Sequence, residues 1–330
     1  MNNYDEVTQN YKKWYLDLKE EKIFEKRRLE FLEYHQKKGV VRVQVEPTKR
    51  CNLKCVMCPI DEIDKEKAKD DLKLEDFELI LTKLPESVTN ICLSGLGEPF
   101  LNKDYIKMVK LASRKGYYVE VYNNGSFFNK EVLKYAGEVN FSVDGIDEEV
   151  LKNIRKNIKI NKLFDSIKEA VENKGKCKIK LNFTANYQNY KNIKKVYDFC
   201  EIVGIDELQI QPTSNNYAIG GSRYKNFKKF IQKNGEIDWS IFSKEYSKNY
   251  NFKLTIWYPR KMKGFCAWGF SNIYITKDLE IINCCQRVTK PIVFGNLKEE
   301  SFEEIYKKMQ WFREKHIKKE DILICNDCPY

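Results

Sequence analysis

Three cysteines stand within eight residues of this chain, in the segment Cys51-Asn52-Leu53-Lys54-Cys55-Val56-Met57-Cys58, with Pro59 directly after. Spacings of four and three let one loop wrap three thiolates around a compact centre. The 330-residue chain has eleven cysteines but only two histidines, His35 and His316, so any metal site must be thiolate-rich. Soft thiolates suit iron–sulfur clusters and zinc. Structural zinc takes four closed ligands, and no fourth ligand lies near this loop. A four-iron cube on three thiolates would instead leave one iron open to a small chelating molecule.

No segment reads as a signal peptide, and no apolar run approaches the roughly 20 residues of a spanning helix. The chain is therefore expected to be cytoplasmic, with no membrane partner, and its cysteines are expected to bind metal rather than form disulfides. Lys and Arg number 59 against 48 Asp and Glu, a formal charge of +11. The signs are interspersed, which reads as a solvated surface, with affinity for an acidic partner as the second reading. The most basic aromatic stretch, residues 223–229, also reads as a wet face, so nucleic-acid binding is not expected.

The cysteine loop follows an alternating segment, 41–46, that has the strand period. Further strand signals lie at 88–93, 117–122, 139–143, 177–184 and 208–211, with helical stretches between them. Such alternation implies parallel βαβ units with right-handed crossovers, which curl into part of a barrel. The expected fold class is α/β: a partial (β/α)6 TIM-like barrel with a C-terminal cysteine-bearing domain. Every unusual motif lies just after a strand, on the rim where such folds keep active sites. Residues 1–40 read as a helical segment, 41–212 as the barrel, 213–260 as a bridge with some helix, and 261–330 as the second unit. In that unit, 272–276 and 279–282 read as a small hairpin turned at Lys277-Asp278. Ser301 and Glu304 form a capping-box signal for a helix over 301–312.

The second unit carries Cys266, Cys284, Cys285, Cys325 and Cys328. Four thiolates from three places could close a site, either as an iron–sulfur cluster or as a zinc knuckle that staples the tail. Cys92, Cys177 and Cys200 fall in strand or helix patterns and read as core.

The CxxxCxxC loop after the first strand, Gly95-Leu96-Gly97-Glu98-Pro99, and Ser142-Val143-Asp144-Gly145 followed by Arg155 together resemble the radical SAM superfamily over about residues 41–212. The resemblance implies a [4Fe–4S] cluster on Cys51, Cys55 and Cys58, whose open iron binds S-adenosylmethionine (SAM). It further implies reductive cleavage of SAM to a 5′-deoxyadenosyl radical, which takes a substrate hydrogen. It places Gly97 and Glu98 at the SAM amino group, and Ser142 and Arg155 near its ribose or carboxylate. Asn124 would line the pocket; Asn182, Thr184 and Gln211 are pocket candidates from strand position. Two departures stand out: Leu96 displaces one glycine of the family's Gly-Gly-Glu segment, and Met57 replaces an aromatic residue. The tail resembles the SPASM extension or its shorter twitch form. That implies one auxiliary [4Fe–4S] cluster on Cys266, Cys284, Cys325 and Cys328, with Cys284 favoured over Cys285 by the hairpin spacing. Cys285 is then a spare thiol, either filler or a hydrogen donor to a substrate radical.

Two substrate classes follow. One is a ribosomal peptide, for oxidation, crosslinking or epimerisation. The other is a small molecule, such as a sugar or aminocyclitol, for dehydrogenation or epimerisation. In that case a base is needed, and Tyr217, Arg223 and Lys261 lie in the right half. A flavodoxin or ferredoxin is the natural electron donor for a basic protein. The alternative of another class is a non-catalytic metal-binding redox or RNA-binding module, which predicts no SAM cleavage.

Overall fold

A computed structural model describes residues 21–60, 69–213, 233–246, 250–257, 266–286, 288 and 291–325. In chain order, helix α1 (Glu21–Lys38) precedes β1 (Arg42–Val45), the two-residue β2 (Lys54–Cys55) and α2 (Leu74–Lys83). There follow β3 (Asn90–Leu93), α3 (Tyr105–Arg114), β4 (Tyr118–Asn123), β5 (Glu138–Ser142), α4 (Glu148–Ile154) and β6 (Arg155–Lys156). Next come α5 (Ile160–Glu172), β7 (Lys178–Ala185), α6 (Ile193–Val203), β8 (Glu207–Pro212), α7 (Ile241–Lys244) and β9 (Lys253–Ile256). The tail supplies β10 (Asn272–Ile275), β11 (Glu280–Ile282), β12 (Val293–Asn296), α8 (Phe302–Lys308) and α9 (Gln310–Lys318).

One sheet runs β12-β11-β10-β1-β3-β4-β5-β7-β8-β9. Pairing is parallel from β10 through to β9 and antiparallel from β10 to β12. The six strands expected from sequence form its centre in chain order, as a partial TIM-like barrel requires. The stretch expected as a bridge with some helix also supplies β9, which pairs with β8. The tail hairpin forms where it was expected, β10 antiparallel to β11. It also joins the main sheet, because β10 lies parallel against β1, with Arg42 opposite Asn272 and Val45 opposite Ile275.

The strand pleat sorts the side chains. Val43, Val45, Ile91, Val119, Val121, Val139, Leu181 and Leu208 point to the helices and are fully buried. They form one core with Phe77 and Ile80 of α2, Met108 of α3 and Leu163 of α5. The alternate positions face inward and are polar. At their lower level three cations face three carboxylates: Arg42 pairs with Glu120 at 2.6 Å, Lys180 sits between Glu138 at 2.6 Å and Glu207 at 3.2 Å, and Lys253 reaches Glu207 at 3.4 Å. This polar interior explains why strands covered on both faces still alternate in sequence, where ordinary parallel strands read as continuous apolar runs.

Helix α1 packs on the tail. Arg28 is buried and donates to the carbonyls of His316 (2.9 Å) and Ile317 (3.0 Å), which caps the end of α9. The capping box of Ser301 and Glu304 is present at α8, although the helix expected over 301–312 breaks at Met309 into α8 and α9. Among the described residues no helix is long and apolar enough to cross a membrane.

Candidate functional site

The cysteine loop leaves the carboxyl end of β1 and is fixed at its middle. There β2 pairs antiparallel with β6, setting Cys55 opposite Arg155, and the Val56 N–H donates to the Ile154 carbonyl at 2.9 Å. Cys55 is buried, while Cys51 and Cys58 are half-buried. Donors reach two of the sulfurs. The Leu53 N–H lies 3.5 Å and Asn124 Nδ2 3.9 Å from Cys51 Sγ, and Arg155 Nη1 lies 3.9 Å from Cys55 Sγ. Burial pushes the Cys51 thiol up to about 11 and the Cys58 thiol up to about 12, and raises Cys55 as well. Neighbouring thiols add to the rise at Cys51 and Cys58. The unligated loop therefore keeps its protons at neutral pH, and metal must displace them. Among the described residues no three His, Cys, Asp or Glu side chains converge to hold a single metal ion. A cube spreads its ligands over separate irons and asks for no such convergence.

The loop after β3 runs against the same turn. The N–H groups of Gly97 and Glu98 donate to the carbonyls of Thr48 (3.2 Å) and Arg50 (2.8 Å). Any Cβ on Gly97 would stand 2.5 Å from both those oxygens, so glycine is required by contact. Glu98 is buried, and its carboxylate accepts from the N–H of Asn124 (2.8 Å) and of Phe100 (3.2 Å). Burial pushes its carboxyl up to about 7, against the pull of those two N–H groups.

Asn124 is bound into the cysteine loop rather than left open. Its Nδ2 donates to Asn52 Oδ1 at 2.9 Å, its Oδ1 accepts from the Ser126 N–H at 2.9 Å, and Asn52 Nδ2 donates to Ser126 Oγ at 2.9 Å. Arg155 is anchored from behind. Its Nε and Asp144 Oδ2 meet at 2.8 Å as an ion pair, off the hydrogen-bond axis, while Asp144 Oδ1 accepts the Thr184 N–H at 2.7 Å. Asp144 is thus a buried anchor. Ser142 ends β5, half-buried. Gln211 Nε2 donates to Thr184 Oγ1 at 3.3 Å across β7 and β8.

Sequence reasoning missed Glu46, Asn52 and the Arg50–Asp71 pair, which also holds Thr48. Asn52 carried a signal, being an amide inside the thiol loop. Glu46 carried none, because a carboxylate after a strand reads as a solvated end.

The second thiols sit around the tail hairpin. Cys284 stands two residues past β11, at the open end of the hairpin, and Cys266 lies before β10 across the turn at 267–272. Asn283 Nδ2 lies 3.6 Å from Cys284 Sγ, and Cys325 ends a short helical turn. Cys285 lies within electrostatic reach of Cys92, an inner-face thiol that burial pushes well up. Cys177 and Cys200 are buried core residues. Cys328, Tyr217, Arg223, Lys261 and the basic stretch 223–229 lie outside the described residues.

Comparison with known proteins decides the family. A model of the radical SAM superfamily matches residues 45–200, and a model of the SPASM iron–sulfur cluster-binding domain matches 266–329. The chain belongs to the radical SAM superfamily, SPASM subgroup. Membership brings a [4Fe–4S] cluster, SAM and auxiliary iron–sulfur chemistry. Three thiols from one loop, with donors aimed at two of the sulfurs and no fourth thiol in the loop, fit a three-ligand cluster. This SPASM protein is 25% identical to a probable GTP 3′,8-cyclase of Sulfurisphaera tokodaii, over 84% of this chain and 91% of that protein. It is 22% identical to a tungsten-containing aldehyde ferredoxin oxidoreductase cofactor-modifying protein of Pyrococcus furiosus, over 82% of each. In fold it is similar to Streptococcus suis SuiB, solved with its precursor peptide SuiA. The TM-score is 0.63 at 16% identity, covering 93% of this chain and 70% of that one.

Proposed function

We propose that this radical SAM protein oxidises, crosslinks or epimerises a ribosomal peptide. The observation that carries the reading is the inner wall above the charged level. There β5, β7 and β8 offer Ser142, Asn182, Thr184, Gln209 and Gln211, all neutral hydrogen-bonding side chains on the inner face of the pleat. Such a row matches the alternating N–H and C=O groups of an extended peptide. SuiB, of the same fold, is solved with a precursor peptide. The same row would also bind hydroxyls, which favours oxidation or epimerisation of a small sugar or aminocyclitol as the second reading.

Cys51, Cys55 and Cys58 would hold the SAM-binding cluster, and Cys266, Cys284, Cys325 and Cys328 the auxiliary one. When bound, the cluster and SAM supply a 5′-deoxyadenosyl radical that removes a substrate hydrogen. The chain supplies position. Glu98 and the Gly97 carbonyl orient the SAM amino group, with Asn124 locking Glu98 to the thiol loop. Arg155, anchored on Asp144, lends a donor to Cys55, and Ser142 and Gln211 line the wall. Cys285, the thiol left over from the auxiliary set, would return a hydrogen atom in an epimerisation.

The test is anaerobic turnover of reconstituted protein with SAM, a reductant and either a peptide or a polyol panel, read by mass spectrometry. Release of 5′-deoxyadenosine with loss of two hydrogens from a peptide supports oxidation or crosslinking. Unchanged peptide mass with solvent deuterium uptake supports epimerisation, and Cys285→Ala should then stall it. Modification of polyols alone would overturn the peptide reading, and no 5′-deoxyadenosine at all would favour a non-catalytic module.

A further inference from the structure

One fully buried carboxylate joins the two thiol-bearing halves of the molecule. Glu46 is the first residue past β1, and water does not reach it. Its Oε1 accepts from the Tyr274 hydroxyl at 3.2 Å and the Leu96 N–H at 3.4 Å. Its Oε2 accepts from the Lys277 N–H at 3.4 Å and stands 3.7 Å from Lys49 Nζ. Three elements therefore meet on one side chain: the Gly95–Glu98 loop, strand β10, and the turn that sends β10 into β11. Lys49 continues outward to Asp278 Oδ2 at 3.6 Å, and Asn296 Nδ2 of β12 donates to the Asp278 carbonyl at 3.0 Å.

The fit against the loop is close. A Cβ on Gly95 would lie 2.5 Å from Glu46 Cγ, so Gly95 is glycine because Glu46 is there. This also accounts for the departure at position 96. Glycine is needed at 95 against Glu46 and at 97 against the Thr48 and Arg50 carbonyls. Residue 96 gives Glu46 only its N–H, which leucine has too. An apolar residue would fill this place without the cost of burying a charge, but it could not gather donors from three separate elements.

We propose that Glu46 is a positioning residue, which sets the Gly95–Glu98 loop for SAM and makes that setting depend on the docked tail hairpin. The proposal rests on the reading that this loop receives SAM. It makes the SAM site and the hairpin that leads to Cys284 one coupled unit, tied through backbone N–H groups rather than through either thiol set.

Hydrogen–deuterium exchange with and without SAM tests it, on anaerobically reconstituted full-length protein, together with SAM affinity by equilibrium dialysis. In the wild type SAM should slow exchange at 94–98 and also at 274–278. Glu46→Gln turns one acceptor into a donor facing the Lys277 N–H. It should abolish the protection at 274–278, weaken SAM roughly tenfold, and leave kcat at saturating SAM within about twofold. Tyr274→Phe removes a single donor without touching the loop and should shift both readouts the same way, less far. It keeps the test open if Glu46→Gln does not fold. Protection at 94–98 without protection at 274–278 in the wild type overturns the coupling alone. A variant that melts earlier yet binds SAM as the wild type does makes Glu46 merely structural and overturns the proposal. No protection at 94–98 overturns the reading of the loop, and the proposal with it.

Discussion

The backbone of the loop after β3 approaches the thiol turn so closely at Gly97 that no side chain fits between them. Gly97→Ala puts a methyl against two backbone oxygens that cannot move independently of Cys51. It should cost about 1–3 kcal/mol, read as an earlier thermal melt, and also weaken SAM binding measured by dialysis. Next to it, Glu98 has its carboxyl raised by burial to about 7. The ionised form accepts from the SAM amino group more strongly than the protonated one. SAM affinity should therefore rise as pH climbs through 6 to 7.5, and Glu98→Gln should flatten that rise. Gly97, Glu98 and Arg155 were legible as candidates only through the resemblance of their motifs, in order along the chain, to the radical SAM pattern. Their partners were not. That Arg155 leans on Asp144 and reaches Cys55 depends on a two-residue strand pair no propensity could announce. Arg155→Lys keeps the charge but loses the fork that spans both groups. It should shift the electron paramagnetic resonance spectrum of the reduced cluster, and an unchanged spectrum would remove Arg155 from that role.

Among the elements, the six central strands were readable because their two faces differ, apolar to the helices and polar inward. Strand β9 was not, because its Lys253-Leu254-Thr255-Ile256 is short and lies among aromatics that read as irregular chain. Strand β10 was recognised as half of a hairpin, but its place beside β1 is a long-range pairing with no local sign. Helix α1 makes a separate prediction. His35 and His316 are held neutral, their pKa values pushed down to about 4, chiefly by burial. His35 Nδ1 meets Ser271 Oγ at 2.6 Å at the entrance to β10. Because the folded values lie below the unfolded value near 6.5, this stability is complete above pH 6.5 and drains away as pH falls toward 4. Each histidine could withdraw on the order of 3 kcal/mol. Protection factors across residues 21–38, corrected for the intrinsic exchange rate at each pH, should fall between pH 7 and 5, and a His35→Gln, His316→Gln variant should lose most of that dependence.

At the scale of the whole molecule, two thiol sets on one sheet predict the metal content. Anaerobic reconstitution should give about eight irons per chain, as two four-iron clusters need. Cys51→Ala should retain about four, and a Cys51→Ala protein with none would tie both sites to one loading event. With Lys253 counted, the ionic level inside the barrel sets three cations against three carboxylates, so the chain's excess of +11 lies elsewhere, where an acidic electron donor would meet it. Reduction by such a donor should slow as salt is added, while reduction by dithionite should not.

Strand β1 finds one of its two neighbours only about 230 residues further along the chain. A ribosome adding 5–20 residues per second needs roughly 10–50 s to deliver that neighbour. Through that interval the strand leading into Cys51 has an open flank, and the turn that presses Glu46 onto Gly95 cannot form. The docking of β10 against the strand that leads into the thiol turn is thereby a late event. A nascent chain halted before residue 272 would expose a hydrophobic edge to its neighbours on the polysome, and chaperone capture would be its natural fate.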